Sequence, residues 1–197
     1  MRSKKIRYTV ASATIAIVFA ASVGFSLLRA APDRVAADTI AMPAFGTSGG
    51  IMEARFAVLM DRRTNACALR AQDVNTLAIK GRLQGSCCTP MVFHHYQQQL
   101  RGLTAYRRVG QIPRDPYDIP VGQARQLLAY DKQIALAPAQ QAIYKRAITL
   151  AHEHGPCCCH CWLWTAFEGK ARYLMARQGW SASQVAKVWD LEDGCGG

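Results

Sequence analysis

Apolar and polar positions alternate along this chain with a helical period, and the pattern is broken repeatedly by glycine and proline. "TVASATIAIVFAASVGFSLL" runs from Thr9 to Leu28 without a charge and follows a basic stretch carrying Arg2, Lys4, Lys5 and Arg7. A basic start before an apolar run of spanning length is the pattern of an export signal or an N-terminal membrane anchor, here residues 1–29. "VAA" at Val35–Ala37 would suit cleavage. The length of the apolar run favours an uncleaved anchor, and the bias of basic residues before it agrees with either reading. Residues 30–50 are small, polar and interrupted by Pro32 and Pro43, the composition of a linker. The folded, cysteine-rich helical domain is expected over residues 51–197.

Within that domain "IMEARFAVLM" and "NACALRAQDVNTLAIKG" suit two helices. "TPMVFHHYQQQLRGLTAYRR" gives the clearest pattern. Thr89 fits an N-cap and Pro90 the first helical position, with Val92, Tyr96, Leu100 and Leu103 at helical spacing. "QIPRDPYDIP" is a stiff connector. Helices are expected over about residues 120–134 and 138–154, each with a proline near its start. Gly155 closes the second, and Pro156 opens another helix that carries Trp162, Phe167, Ala171 and Leu174 and stops at Gly179. "SASQ" at Ser181–Gln184 is a capping box for a last helix. No alternating strand pattern stands out. The expected fold class is all-α, an irregular bundle of five to seven helices.

Half of the 197 residues are hydrophobic, enough to bury a core, which excludes the disordered class. The net charge of +11 is concentrated at the start of the chain. Six of 24 basic residues and one of 13 acidic residues precede residue 38, leaving 18 and 12 for the remainder. That mildly basic surface gives no case for nucleic acid. "GWSASQVAKVWDL" has the outline of a helix-turn-helix DNA-binding phrase, but the export segment and the acidic "DLED" that follows oppose that use.

Cysteine changes the picture. The chain has eight, at 67, 87, 88, 157, 158, 159, 161 and 195. Two clusters, "SCCTP" and "GPCCCHC", each sit where a helix is expected to begin. Free N–H groups and the positive end of the helix dipole there favour thiolate, the form that binds metals. On helical spacing Cys157, Cys158 and Cys161 share a face, while Cys159 and His160 point elsewhere. The primary candidates are Cys87, Cys88, Cys157, Cys158 and Cys161. Cys159, His160, His94 and His95 form a second rank. His152 and His154 suit a helix end, where an imidazolium is favoured without any ligand role.

Three chemistries fit. Soft thiolates with imidazole suit Cu(I) or Zn(II), with the metal ion as partner and the N-terminal segment as membrane contact. An oxidising compartment favours disulfides, although the Cα atoms of neighbouring cysteines, about 3.8 Å apart, lie too close for ordinary bridging. "CCHC" from Cys158 to Cys161 is formally a C-x-x-C, which points to a thiol–disulfide oxidoreductase, but the strand that precedes that motif in thioredoxin-like proteins is missing. "PCCCHC", Pro156 to Cys161, resembles the motif of the bacterial PCYCGC-motif exported proteins, whose activity is undefined. Pro156, Cys157, Cys159 and Cys161 match, while Cys158 and His160 depart from it. The resemblance implies an extracytoplasmic, metal-related role and assigns no catalytic residue.

Overall fold

Seven α-helices and one short β-ribbon are present in the computed structural model, which describes residues 42–196. The expected signal or anchor segment lies outside the described residues. Among those described, no helix is long and apolar enough to cross a membrane.

Helices α1 (Gly49–Met60), α2 (Ala71–Val74) and α3 (Phe93–Leu103) precede a 3₁₀ turn, Thr104–Tyr106. Helices α4 (Val121–Gln133), α5 (Pro138–Leu150), α6 (Trp162–Gln178) and α7 (Ala182–Glu192) follow. The core of the main cluster is Trp162, Phe167, Leu127 and Trp189, all buried. Helix α6 lies along α4. Gly169 makes this possible, because a Cβ there would run into Leu127 O and the Asp131 backbone. A mid-helix glycine costs about 1 kcal/mol in propensity, and here it brings two helix backbones close together.

The helical expectation holds in its main features, with differences that matter for the site. Arg82–Gln84 (β1) and Asp118–Pro120 (β2) form an antiparallel ribbon, pairing Leu83 with Ile119. Three-residue strands are too short for an alternating pattern to register. The helix expected over "NACALRAQDVNTLAIKG" contracts to the four residues of α2. The third helix begins at Phe93 rather than Pro90, and the sixth at Trp162 rather than Pro156. Helix α5 ends at Leu150, so His152 and His154 lie beyond it. At the other end of α6 the sequence signals hold. Gly179 takes the left-handed C-cap conformation at φ 68°, and Ser181 and Gln184 form the capping box of α7.

A buried ionic network fixes the frame around the ribbon. Arg55 on α1 donates to Asp115 and Asp118, each at 2.9 Å, and Tyr96 on α3 donates its hydroxyl to Asp115 at 2.9 Å. Burial works against the Arg55 charge, but Asp115 and Tyr96 more than offset it and hold the guanidinium above its usual range. The described end of the expected linker takes part, since Pro43 O accepts from Arg55 at 2.9 Å and Met42 packs on the core formed by α1 and α3.

Candidate metal centre

Four irregular segments converge to form the cysteine site, and backbone hydrogen bonds stitch them together. Cys67 N–H donates to Cys87 O at 3.1 Å, Cys87 N–H to Gly194 O at 3.0 Å and Thr89 N–H to Cys195 O at 2.8 Å. Trp162 N–H donates to Leu69 O at 3.1 Å. Asn65, only 1 % exposed, ties three of these segments. It accepts from Trp162 Nε1 at 2.9 Å, donates its side-chain amide to Gly85 O at 3.0 Å, and donates its backbone N–H to Gln84 O at 3.0 Å. The C-terminal tail is held by Tyr117, whose hydroxyl donates to Gly196 O at 2.8 Å, and by Gln99, which donates to Asp193 O at 2.7 Å.

This frame gathers all eight sulfurs. Cys87 Sγ lies 3.3 Å from Cys88, 3.9 Å from Cys159 and 3.5 Å from Cys195. Cys88 Sγ lies 3.5 Å from Cys159 and 3.7 Å from Cys158, and Cys158 lies 3.0 Å from Cys195. Cys161 meets Cys157 and Cys87, and Cys67 meets Cys159. All eight are free cysteines. The sulfurs of Cys87, Cys88, Cys159 and Cys195 fall within 4.8 Å of one another, as do those of Cys157, Cys159 and Cys161. A tetrahedral thiolate site with metal–sulfur bonds of about 2.3 Å has sulfur–sulfur edges of about 3.8 Å. The spacing suits a closed four-sulfur metal site.

"SCCTP" and "GPCCCHC" therefore do meet, but not as two helix N-termini. Cys87 and Cys88 stand in a bend ahead of α3, and Thr89 Oγ1 donates to Cys195 O at 2.9 Å instead of capping that helix. Only Cys161 abuts a helix start, as the N-cap residue of α6. Residues 157–160 are irregular, so the helical-face argument does not apply to them. Cys159, expected to point away, touches Cys87, Cys88 and Cys67. Cys67 and Cys195 were not among the expected site residues. Their signal was that both stand apart in a chain whose other six cysteines cluster.

The histidines stay outside both sulfur groups. His160 stacks on Trp164 with ring centroids 4.0 Å apart, and His94 hydrogen-bonds Gln98 at 2.9 Å. His95 lines an open cavity of about 580 Å³ together with Cys88, Cys158 and Cys195. That cavity connects the sulfurs to solvent. Another large cavity, of about 530 Å³, adjoins the Arg55–Asp115 network and contains no cysteine.

The thiols are not equivalent. Hydrogen bonds from Cys157 and Cys87, aided by the N–H groups of Leu163 and Trp164, hold Cys161 far below an ordinary thiol pKa. Cys195 is lowered by Cys157, Cys87 and Cys158 in the same way. Cys87 and Cys157 are raised, first by their interactions with Cys161 and Cys195 and then by burial. Cys88, Cys158 and Cys159 are raised chiefly by desolvation.

Fold and site together define a mostly helical, cysteine-rich protein whose cysteine cluster is spaced to hold a metal ion. No family model matches the chain, and no curated protein or solved structure matches it.

Proposed function

We propose that this protein binds a soft metal ion, Cu(I) or Zn(II), outside the cytoplasm, for storage, delivery or structure. The observation that carries the proposal is the mutual approach of the Cys87, Cys88, Cys159 and Cys195 sulfurs within 4.8 Å. Four soft donors at that spacing match tetrahedral thiolate coordination. The extracytoplasmic location rests on the basic and apolar N-terminal sequence alone, which also supplies the membrane contact.

The oxidoreductase reading has less support. An attacking thiol must be both ionised and accessible. Here the two lowered thiols, Cys161 and Cys195, are 2 % and 6 % exposed, while the exposed Cys88 and Cys158 are raised. Ionisation and access fall on different residues.

The test is competition between the reduced protein and a chelator of known affinity, for Cu(I) and Zn(II) separately. The wild-type protein is expected to hold at least one of them, and C87S/C195S to lose at least ten-fold in affinity. Failure of the reduced, folded protein to retain either ion contradicts the proposal.

A further inference from the structure

We infer that the nest holds two metal ions rather than one, with Cys159 as the thiolate shared between them; this rests on the metal-binding reading above. The sulfurs form two groups in space. One is Cys87, Cys88, Cys159 and Cys195, the other Cys157, Cys159 and Cys161, and Cys159 alone belongs to both. A single tetrahedral ion takes four sulfurs. Placed in the first group, it would leave Cys157 and Cys161 buried and unligated beside it.

The backbone explains how one residue reaches both groups. Cys159 O accepts Cys161 N–H at 3.0 Å and the Cys157 thiol at 3.1 Å. The chain thus folds around its own carbonyl, which keeps Cys157 and Cys161 close to Cys159. Cys87 and Cys88 approach Cys159 at 3.9 Å and 3.5 Å. A three-sulfur group satisfies Cu(I), which accepts trigonal thiolate coordination. A bridging thiolate also reduces the number of buried anions needed per cation, which matters in an interior where an uncompensated charge is costly. Cys158 belongs to neither group. It is exposed and lines the cavity with Cys88 and Cys195.

The test titrates the reduced, metal-free protein anaerobically with Cu(I), and separately with Zn(II), against a competing chelator. Native mass spectrometry counts the ions, and X-ray absorption seeks a short metal–metal scattering path. The expected result is two ions per chain at saturation with that path present. C159S should hold one ion and lose the path. The wild-type spectrum decides the matter by itself if C159S does not fold. One ion at saturation with no metal–metal path overturns the two-ion assignment and leaves the metal-binding proposal standing, as do three or more ions. Two ions with an intact path in C159S overturn the bridging role. No bound metal overturns both proposals.

Discussion

Cys195 places its sulfur 3.5 Å from that of Cys87, 108 residues earlier in the chain. A thiol at the very end of the chain is thereby a central member of the site. Cys67, by contrast, meets the net through Cys159. C195S is expected to lower metal affinity at least ten-fold and C67S distinctly less, with circular dichroism unchanged in both. Equal affinities for the two variants would contradict this ordering.

Asn65 is the polar joint of the site. Asn65→Ala leaves Trp162 Nε1–H and Gly85 O without partners in a buried setting. An unsatisfied buried polar group costs about 1–3 kcal/mol. The variant should lose stability on that scale in urea unfolding and bind metal more weakly, because both cysteine-bearing loops hang on this side chain. Wild-type stability and affinity would show that the loops are held otherwise.

Helices α6 and α7 share a fully buried ion pair, Lys170 with Glu192. Desolvation lowers the Lys170 pKa well below its usual range, and its ammonium also sits 3.8 Å from the centre of the Phe167 ring. Removing one partner of a buried pair costs about 3–5 kcal/mol, whereas replacing both with apolar residues is often neutral. K170M and E192M should each destabilise on that scale, and K170M/E192M should recover most of the loss. A double variant as unstable as the sum of the singles would contradict a paired charge.

Asp193 couples the site to pH. Burial, then the charge of Cys195, pushes its carboxyl up to about 7 in the metal-free protein. The folded state therefore retains this proton to a higher pH than the unfolded chain, whose Asp pKa is about 3.9. The resulting stabilisation is complete below about pH 4 and is lost as pH rises through about 7. The stability difference between wild type and D193N should follow that window. The Asp193 carboxyl of the metal-free protein, followed by ¹³C NMR, should titrate well above the unfolded value. A carboxyl that titrates at about 4 would contradict this burial.

The sequence was legible where local chemistry decides structure. Gly179 and the Ser181–Gln184 capping box mark the junction of α6 and α7 as expected, since caps act within one turn. It was less legible where distant segments compete for the same groups. Thr89 and Pro90 have the residue types of a helix start, yet the C-terminal tail takes the hydrogen bonds of Thr89 and α3 begins later. Pro156 likewise lies within a loop, and α6 begins at Trp162, which Asn65 and Leu69 hold by hydrogen bonds. The meeting of "SCCTP" with "GPCCCHC" was inferred from cysteine content. The inclusion of Cys67 and Cys195 depends on loops joined by tertiary hydrogen bonds, which no spacing rule encodes.

Residue-by-residue alkylation of the reduced protein, with and without bound Cu(I), tests the central claim most directly. If the cysteines form one thiolate site, metal should slow alkylation of the exposed Cys88 and the half-buried Cys159 together, and a chelator should restore it. Alkylation of Cys88 and Cys159 at the same rate with and without metal in the folded protein would contradict it.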